Sequence, residues 1–251
     1  MKTPPPSVVF LHGFCETKKI WNFFLESLSP HFNAIALDLP GFGDNTISVK
    51  GISIEKMAEN VHKQLTELNV NECVMVGHSL GGYVSLAYAE KYPDFLAGLC
   101  LFHSSPFADT PEKITNRNRA IKLVEERGVS ALTQTLMPSL FSANSLSRLK
   151  NTISEYAHTA SLTNKETVIE VSKAMRDRKN RREVLMRFQK PFMLIAGKDD
   201  PVIPQEVSTA LCMLTPQCSA HFLNGVGHNG MLEAPELTLR FMRDFLERVY
   251  A

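Results

Sequence analysis

The stretch Gly77-His78-Ser79-Leu80-Gly81-Gly82 constrains this chain more than any other. The run before it, Cys73-Val74-Met75-Val76, is short and apolar, the pattern of a strand buried in a parallel sheet. After it, Tyr83 to Tyr92 carries apolar residues at helical spacing, and Pro93 stops the helix. Ser79 therefore falls on a strand-to-helix turn. Glycines are needed at 77 and 81, because a β-carbon there would strike the strand or the helix. The turn lifts the serine hydroxyl above the sheet edge, at a helix N-terminus whose free amides favour developing negative charge.

The same unit recurs along the chain. Val8 to Leu11 reads as a strand that ends in His12-Gly13-Phe14. Ile20 to Leu28 has Trp21, Phe24, Leu25 and Leu28 on one helical face. Ala34 to Leu37 is a second strand, closed by the turn Asp38-Leu39-Pro40-Gly41-Phe42-Gly43. Ser53 is placed to cap a helix running to about Leu68; Lys56 stands three residues on, so there is no capping box. Beyond the Ser79 helix, Leu96 to Phe102 is another strand.

From Ser104 to about Arg187 no strand pattern is found. Apolar residues such as Ile121, Val124, Leu132 and Leu136 recur there at helical intervals among many arginines, including Arg117. Residues 104–187 are expected to form a helical lid inserted into a core made of residues 1–103 and 188–251. Strand and helix then resume with Phe192 to Ala196, a helix around Gln205 to Leu214, Ala220 to Leu223, and a last helix from Pro235 to Tyr250. Alternation of this kind predicts an α/β fold, a mainly parallel sheet of about six strands with helices on both faces. A length of 251 residues suits one such domain with one insertion.

Composition excludes several classes of partner. A net charge of +1 gives no reason to expect nucleic acid or an anionic membrane surface, and no stretch is long enough to span a bilayer. Five cysteines without paired spacing point to reduced thiols, and with no signal segment at the start the expected location is cytoplasmic. No His, Cys or carboxylate cluster has metal-ligand spacing, and Gly41-x-Gly43 lacks a dinucleotide fingerprint, so neither cofactor nor metal is implied.

A serine hydroxyl needs a base, and the base needs a group to orient it. In a parallel sheet these lie beyond the C-terminal strand ends. Two such loops follow, Gly197-Lys198-Asp199-Asp200-Pro201-Val202-Ile203-Pro204 and Asn224-Gly225-Val226-Gly227-His228-Asn229. With the His-Gly turn at 12–13 and the Asp-x-Pro-Gly-x-Gly turn at 38–43, the chain resembles serine-nucleophile, carboxylesterase-like members of the α/β-hydrolase superfamily. The resemblance covers nearly everything outside the lid, less the two leading strands of larger members.

This resemblance implies Ser79 as nucleophile, His228 as base and, through the acid-loop pattern Gly-x-x-Asp-x-x-x-Pro, Asp200 as acid. Asp199 reads as a solvated neighbour. The amides of Leu80 and Phe14 are expected to form the oxyanion hole. His12 and His78 read as structural, His103 as a candidate for the pocket border, Cys15 as a buried thiol, and His31, His62, His158 and His221 as surface or core. Serine at 79 argues against dehalogenase or epoxide-hydrolase chemistry, where similar proteins use aspartate. Asn229 stands where hydroxynitrile lyases of this fold have lysine, and Tyr83 where menaquinone-pathway members often have arginine. The implied activity is hydrolysis of a small ester, thioester or lactone by an acyl-enzyme. Carbon–carbon cleavage, acyl transfer or a slow-turnover ligand receptor are the alternatives. Leu136, Met137, Leu140 and Phe141 are candidates for the pocket roof.

Overall fold

The computed structural model describes residues 5–251. Strands β1 (Ser7–Leu11), β2 (Asn33–Leu37), β3 (Cys73–His78), β4 (Leu96–Phe102), β5 (Phe192–Gly197) and β6 (Cys218–Leu223) form one sheet. Its order is β2-β1-β3-β4-β5-β6, and every pair is parallel. The chain steps outward from β1 to β2 and then returns past β1 to β3. The reversal opens a crevice at the carboxyl ends of β1 and β3, where parallel sheets place their sites.

The strands are short and apolar because helices cover both faces. In chain order these are α1 (Asn22–Leu28), α2 (Ile54–Glu67), α3 (Leu80–Lys91), α4 (Pro111–Arg127), α5 (Val129–Ser139), α6 (Ala143–Arg148), α7 (Lys150–Ser161), α8 (Lys165–Arg176), α9 (Arg182–Arg187), α10 (Gln205–Cys212), α11 (Gly230–Glu233) and α12 (Pro235–Tyr250). Successive strand residues serve opposite faces. Val8, Phe10, Val74 and Val76 pack with Trp21, Phe24 of α1 and Met242 and Phe245 of α12. Val9, Leu11 and Met75 pack with Met57 and Val61 of α2 and Val84 of α3. Each such side chain, removed fully from water, contributes roughly 1.5–3 kcal/mol. Helix α3 lies deepest, with every residue from Leu80 to Ala89 buried.

The segment between β4 and β5 is wholly helical, α4 to α9. Its two ends are joined where the Arg181 amide donates to the Pro106 carbonyl at 2.7 Å. The buried Arg181 guanidinium then donates to Glu55 of α2 at 2.5 Å and Glu90 of α3 at 3.0 Å. The segment carries an apolar cluster of its own, including Val124, Leu132, Phe141, Ile153 and Val168, and that cluster takes in Cys15.

Local detail departs from expectation at element ends. The helix expected from Ile20 begins as a 3-10 turn, Lys18–Trp21, and becomes α1 only at Asn22. Helix α10 stops at Cys212 rather than Leu214, and the last strand starts two residues earlier, at Cys218. Helix α11 was not expected. It forms because the Asn229 carbonyl accepts from Leu232 and Glu233 amides, while the Glu233 carboxylate folds back on the Gly227 and Asn229 amides. Ser53 caps α2 as expected, accepting from the Lys56 amide at 3.2 Å. All five cysteines are free thiols. No helix among the described residues is long and apolar enough to cross a membrane.

Candidate active site

Ser79 follows β3 directly and caps α3 with φ 49° and ψ −111°. A non-glycine residue held in that region stores strain of order 1–3 kcal/mol, which the surrounding packing must hold. The packing is close: a β-carbon on Gly77 would collide with the Gly81 backbone, and one on Gly81 would lie 2.5 Å from the Leu11 carbonyl oxygen. The Ser79 amide donates to the Phe102 carbonyl at 3.0 Å, tying the turn to the neighbouring strand.

Three residues from three loops meet at this turn. His228 Nδ1 lies 2.8 Å from Asp200 Oδ2, and its Nε2 lies 2.9 Å from Ser79 Oγ. A carboxylate only accepts, so Nδ1 carries the proton and Nε2 is free to accept from the serine hydroxyl. Asp200 is buried; its other oxygen accepts from the Val202 and Ile203 amides at 2.8 and 2.9 Å. Burial alone would raise its pKa. Interaction with His228 and hydrogen bonds from His103 and His228 more than offset this and hold it well below the usual carboxylate range. Asp199 is exposed, as the loop pattern implies.

His103, considered for the pocket border, lies instead behind Asp200. It is fully buried, with Nδ1 3.1 Å from Asp200 Oδ2, the oxygen His228 also uses. Its Nε2 accepts from the Gly230 amide at 3.2 Å, and the Gly197 amide points at Nδ1 from 3.2 Å. The Nδ1–H tautomer satisfies two of these three contacts and the Nε2–H tautomer one, so the proton belongs on Nδ1. Burial keeps the ring neutral, lowering its pKa despite the carboxylate. His103, Asp200 and His228 thus form a trio with donor atoms within 4.8 Å, which sequence spacing did not disclose. Those atoms already serve one another as hydrogen-bond partners.

A second buried pair stands beside Ser79, His228 and Asp200, and the sequence did not announce it. His78 places Nδ1 3.0 Å from Glu16 Oε2 and Nε2 2.9 Å from the His228 carbonyl oxygen. Both partners are acceptors only, so both nitrogens donate and His78 is an imidazolium. Burial disfavours the cation, but Glu16 outweighs it and the His78 pKa is raised. Glu16, though buried, also accepts from the Gly13 amide at 2.6 Å and the Tyr156 hydroxyl at 2.6 Å. Burial would raise its pKa; the His78 charge and these donors bring it down to about 2. His12 is neutral, donating through Nδ1 to the Gly13 carbonyl and accepting at Nε2 from the Leu39 amide. Cys15 is buried, which pushes its thiol pKa far up and suits the inert reading.

The amides of Phe14 and Leu80 have no acceptor among the described residues. Leu80 is the first residue of α3, where an amide has no intrahelical partner. Phe14, Ser79 and His228 line one cavity of about 100 Å³. Leu136, Met137 and Leu140 of the helical segment line it too, with Met175 and Val202. Phe141 does not; it packs edge-on against Tyr156 inside the segment, ring centres 5.7 Å apart. The segment also holds the His228 loop, since the Leu140 carbonyl accepts from the His228 amide at 2.7 Å.

Comparison with known proteins agrees with this architecture. A family profile described as alpha/beta hydrolase fold matches residues 6–235. The chain is similar to the structure of a thermophilic esterase from Thermogutta terrifontis, with 27% identity and a TM-score of 0.94, over 100% of this chain and 92% of that one. It is 24% identical to the monoacylglycerol lipase of Homo sapiens over 257 residues, covering 98% of this chain and 76% of that protein. It is 25% identical to the pimeloyl-[acyl-carrier protein] methyl ester esterase of Yersinia enterocolitica over 252 residues, covering 96% and 93%. With its six-stranded parallel sheet, flanking helices and serine turn after β3, the chain belongs to the alpha/beta hydrolase fold family.

Proposed function

We propose that this protein is a serine hydrolase that cleaves a small carboxylic ester, thioester or lactone through an acyl-enzyme on Ser79. The observation that carries the reading is the continuous chain Ser79 Oγ–His228 Nε2–Asp200 Oδ2 at 2.9 and 2.8 Å, opening into a mostly apolar cavity. Relatives named as esterases and a lipase support the ester bond as the target.

Ser79 Oγ attacks the carbonyl carbon while His228 Nε2 takes its proton. Asp200 holds the ring in the Nδ1–H tautomer and stabilises the imidazolium that forms. The unclaimed amides of Phe14 and Leu80 receive the oxyanion; one such donor is worth about 2.7–4 kcal/mol of barrier. His228 then protonates the leaving alcohol, thiol or lactone oxygen. Water, deprotonated by His228, attacks the acyl-enzyme and the acid departs. Residues 104–187 act as the lid over the core formed by 1–103 and 188–251, with Leu136, Met137 and Leu140 as the pocket roof. Five free thiols support action in the reducing cytoplasm.

The test is turnover of p-nitrophenyl acetate and butyrate by the wild type and by Ser79→Ala. Sustained turnover, a loss of orders of magnitude in the variant, and phosphonate labelling of Ser79 alone are expected. A single burst without turnover would assign the triad to a ligand receptor. Full activity in the variant would remove Ser79 from the chemistry.

A further inference from the structure

The cavity above Ser79 holds one cation with hydrogen-bonding capacity to spare. Helix α4 starts at Pro111 behind the Thr110 cap, whose hydroxyl accepts from the Lys113 amide at 3.3 Å. Its second turn brings Arg117 to the wall of the cavity that Ser79 and His228 line. Arg117 Nε donates to Asp109 Oδ2 at 2.5 Å. The two terminal nitrogens make no hydrogen bond among the described residues, so four of the five guanidinium N–H groups are unused.

Asp109 does not neutralise Arg117, because it is shared. Its other oxygen accepts from Arg178 Nη1 at 2.6 Å, and both Asp109 and Arg178 are buried. Arg178 spends the same nitrogen on the Met175 carbonyl, lies over the Tyr83 ring at 3.9 Å, and leaves its buried Nε without an acceptor. One carboxylate thus faces two guanidinium groups, a surplus of one positive charge whose exposed part is Arg117. The other charged pair on this cavity, Glu16 and His78, is closed on itself: Glu16 is satisfied by His78, Tyr156 and the Gly13 amide. The rest of the wall is apolar apart from Tyr83 and the Ser79–His228 pair, and it supplies no anion for Arg117.

We infer that Arg117 is a specificity-determining residue that binds a carboxylate at the far end of the acyl group, so that the preferred substrate is a half-ester of a short dicarboxylic acid. The half-ester class rests on the ester-hydrolase reading above; the carboxylate subsite does not. A guanidinium presents paired N–H groups that fit a carboxylate bidentately, and an apolar wall strengthens the pair. Ser79 and Arg117 line the same cavity, so one short acyl chain can meet both.

Two measurements separate the subsite from the chemistry. In the first, kcat/KM is compared for monoethyl esters of the three- to six-carbon diacids and for ethyl esters of neutral acids of matched length. The wild type is expected to favour at least one half-ester by tenfold or more. Arg117→Gln should lower that selectivity ratio at least tenfold, and Arg117→Lys should retain part of it. In the second, calorimetry compares glutaramate with valeramide, amides of equal length that differ in the distal carboxylate. Tighter binding of glutaramate, reduced by salt and lost in Arg117→Gln, is expected.

No preference for any half-ester together with equal binding of the two amides by the wild type would overturn the inference. So would a preference that persists in Arg117→Gln. If neither ester class turns over but glutaramate binding depends on Arg117, the hydrolase reading fails and the subsite stands. If Arg117→Gln does not fold, the wild-type comparisons and Arg117→Lys decide.

Discussion

His103 shares one oxygen of Asp200, Oδ2, at 3.1 Å; its ring is buried and does not line the cavity. It steadies the carboxylate that orients His228 and accepts from the Gly230 amide next to the base loop. His103→Phe removes a donor from Asp200 and an acceptor from Gly230. It should lower stability by about 1–3 kcal/mol, the range for an unsatisfied buried group, read by urea denaturation. In the proposed mechanism His103 only positions Asp200, so turnover should fall by roughly tenfold or less. A loss as deep as that of an acid variant would make it part of the reaction itself.

The acid loop offers a sharper contrast. Asp200→Asn leaves the geometry but removes the charge and the acceptor that select the His228 tautomer. By analogy with other triads kcat should drop by about 10³–10⁴. Asp199 is exposed and one residue away. Asp199→Asn should change kcat by less than about twofold. The inverse order of effects on p-nitrophenyl butyrate turnover would transfer the role to Asp199.

The Glu16–His78 pair predicts a bounded pH range of stability. Glu16 moves from an ordinary 4.5 to about 2, so its contribution is full above 4.5 and is lost as pH falls toward 2. That displacement corresponds to on the order of 3 kcal/mol at neutral pH. His78 is raised from 6.5, so its contribution is full below 6.5 and is lost as pH rises through the folded-state value. His12 and His103, both lowered, add to the acid loss below 6.5, since unfolding lets them protonate. Denaturation midpoints measured from pH 3 to 9 should fall steeply on the acid side. Glu16→Gln should flatten that slope and cost about 3–5 kcal/mol at pH 7 by stranding the imidazolium. An unchanged acid slope would remove Glu16 from its sources, leaving His12, His103 and Asp200.

The helical segment gives a prediction with an internal control. Leu136 and Leu140 line the cavity, whereas Phe141 sits in the segment's own cluster. Leu136→Ala and Leu140→Ala should shift preference toward longer p-nitrophenyl acyl chains. Phe141→Ala should instead cost about 3–5 kcal/mol of stability with the length profile unmoved. A changed profile in Phe141→Ala, or none in the two leucine variants, would reverse the roof assignment.

Local pattern carried much of this protein. Alternating apolar strands and helical repeats predict a mainly parallel sheet of about six strands, and the structure has six, all parallel, in one sheet. Gly77 and Gly81 announce the Ser79 turn because the steric demand there acts between neighbours in sequence. Some errors fall at element ends, such as the 3-10 turn at Lys18–Trp21, while the short helix Gly230–Glu233 was not read at all. The pattern around Asp200 was read only through its likeness to a family pattern, and the structure sets Asp200 against His228 and His103.

The sequence by itself determined the strand–helix alternation, the serine turn and the order of the loops that could serve it. These follow from side-chain periodicity and backbone sterics over a few residues. Only the tertiary structure decided that Glu16 neutralises His78 from 62 positions away, that Tyr156 reaches Glu16 across 140, and that His103 backs Asp200 across 97. It alone brought Arg117 to the cavity of Ser79 and divided Asp109 between two arginines. The physical reason is that a buried charge requires a partner within a few ångströms, and the partner's place along the chain is set by sheet order and helix packing rather than by local pattern.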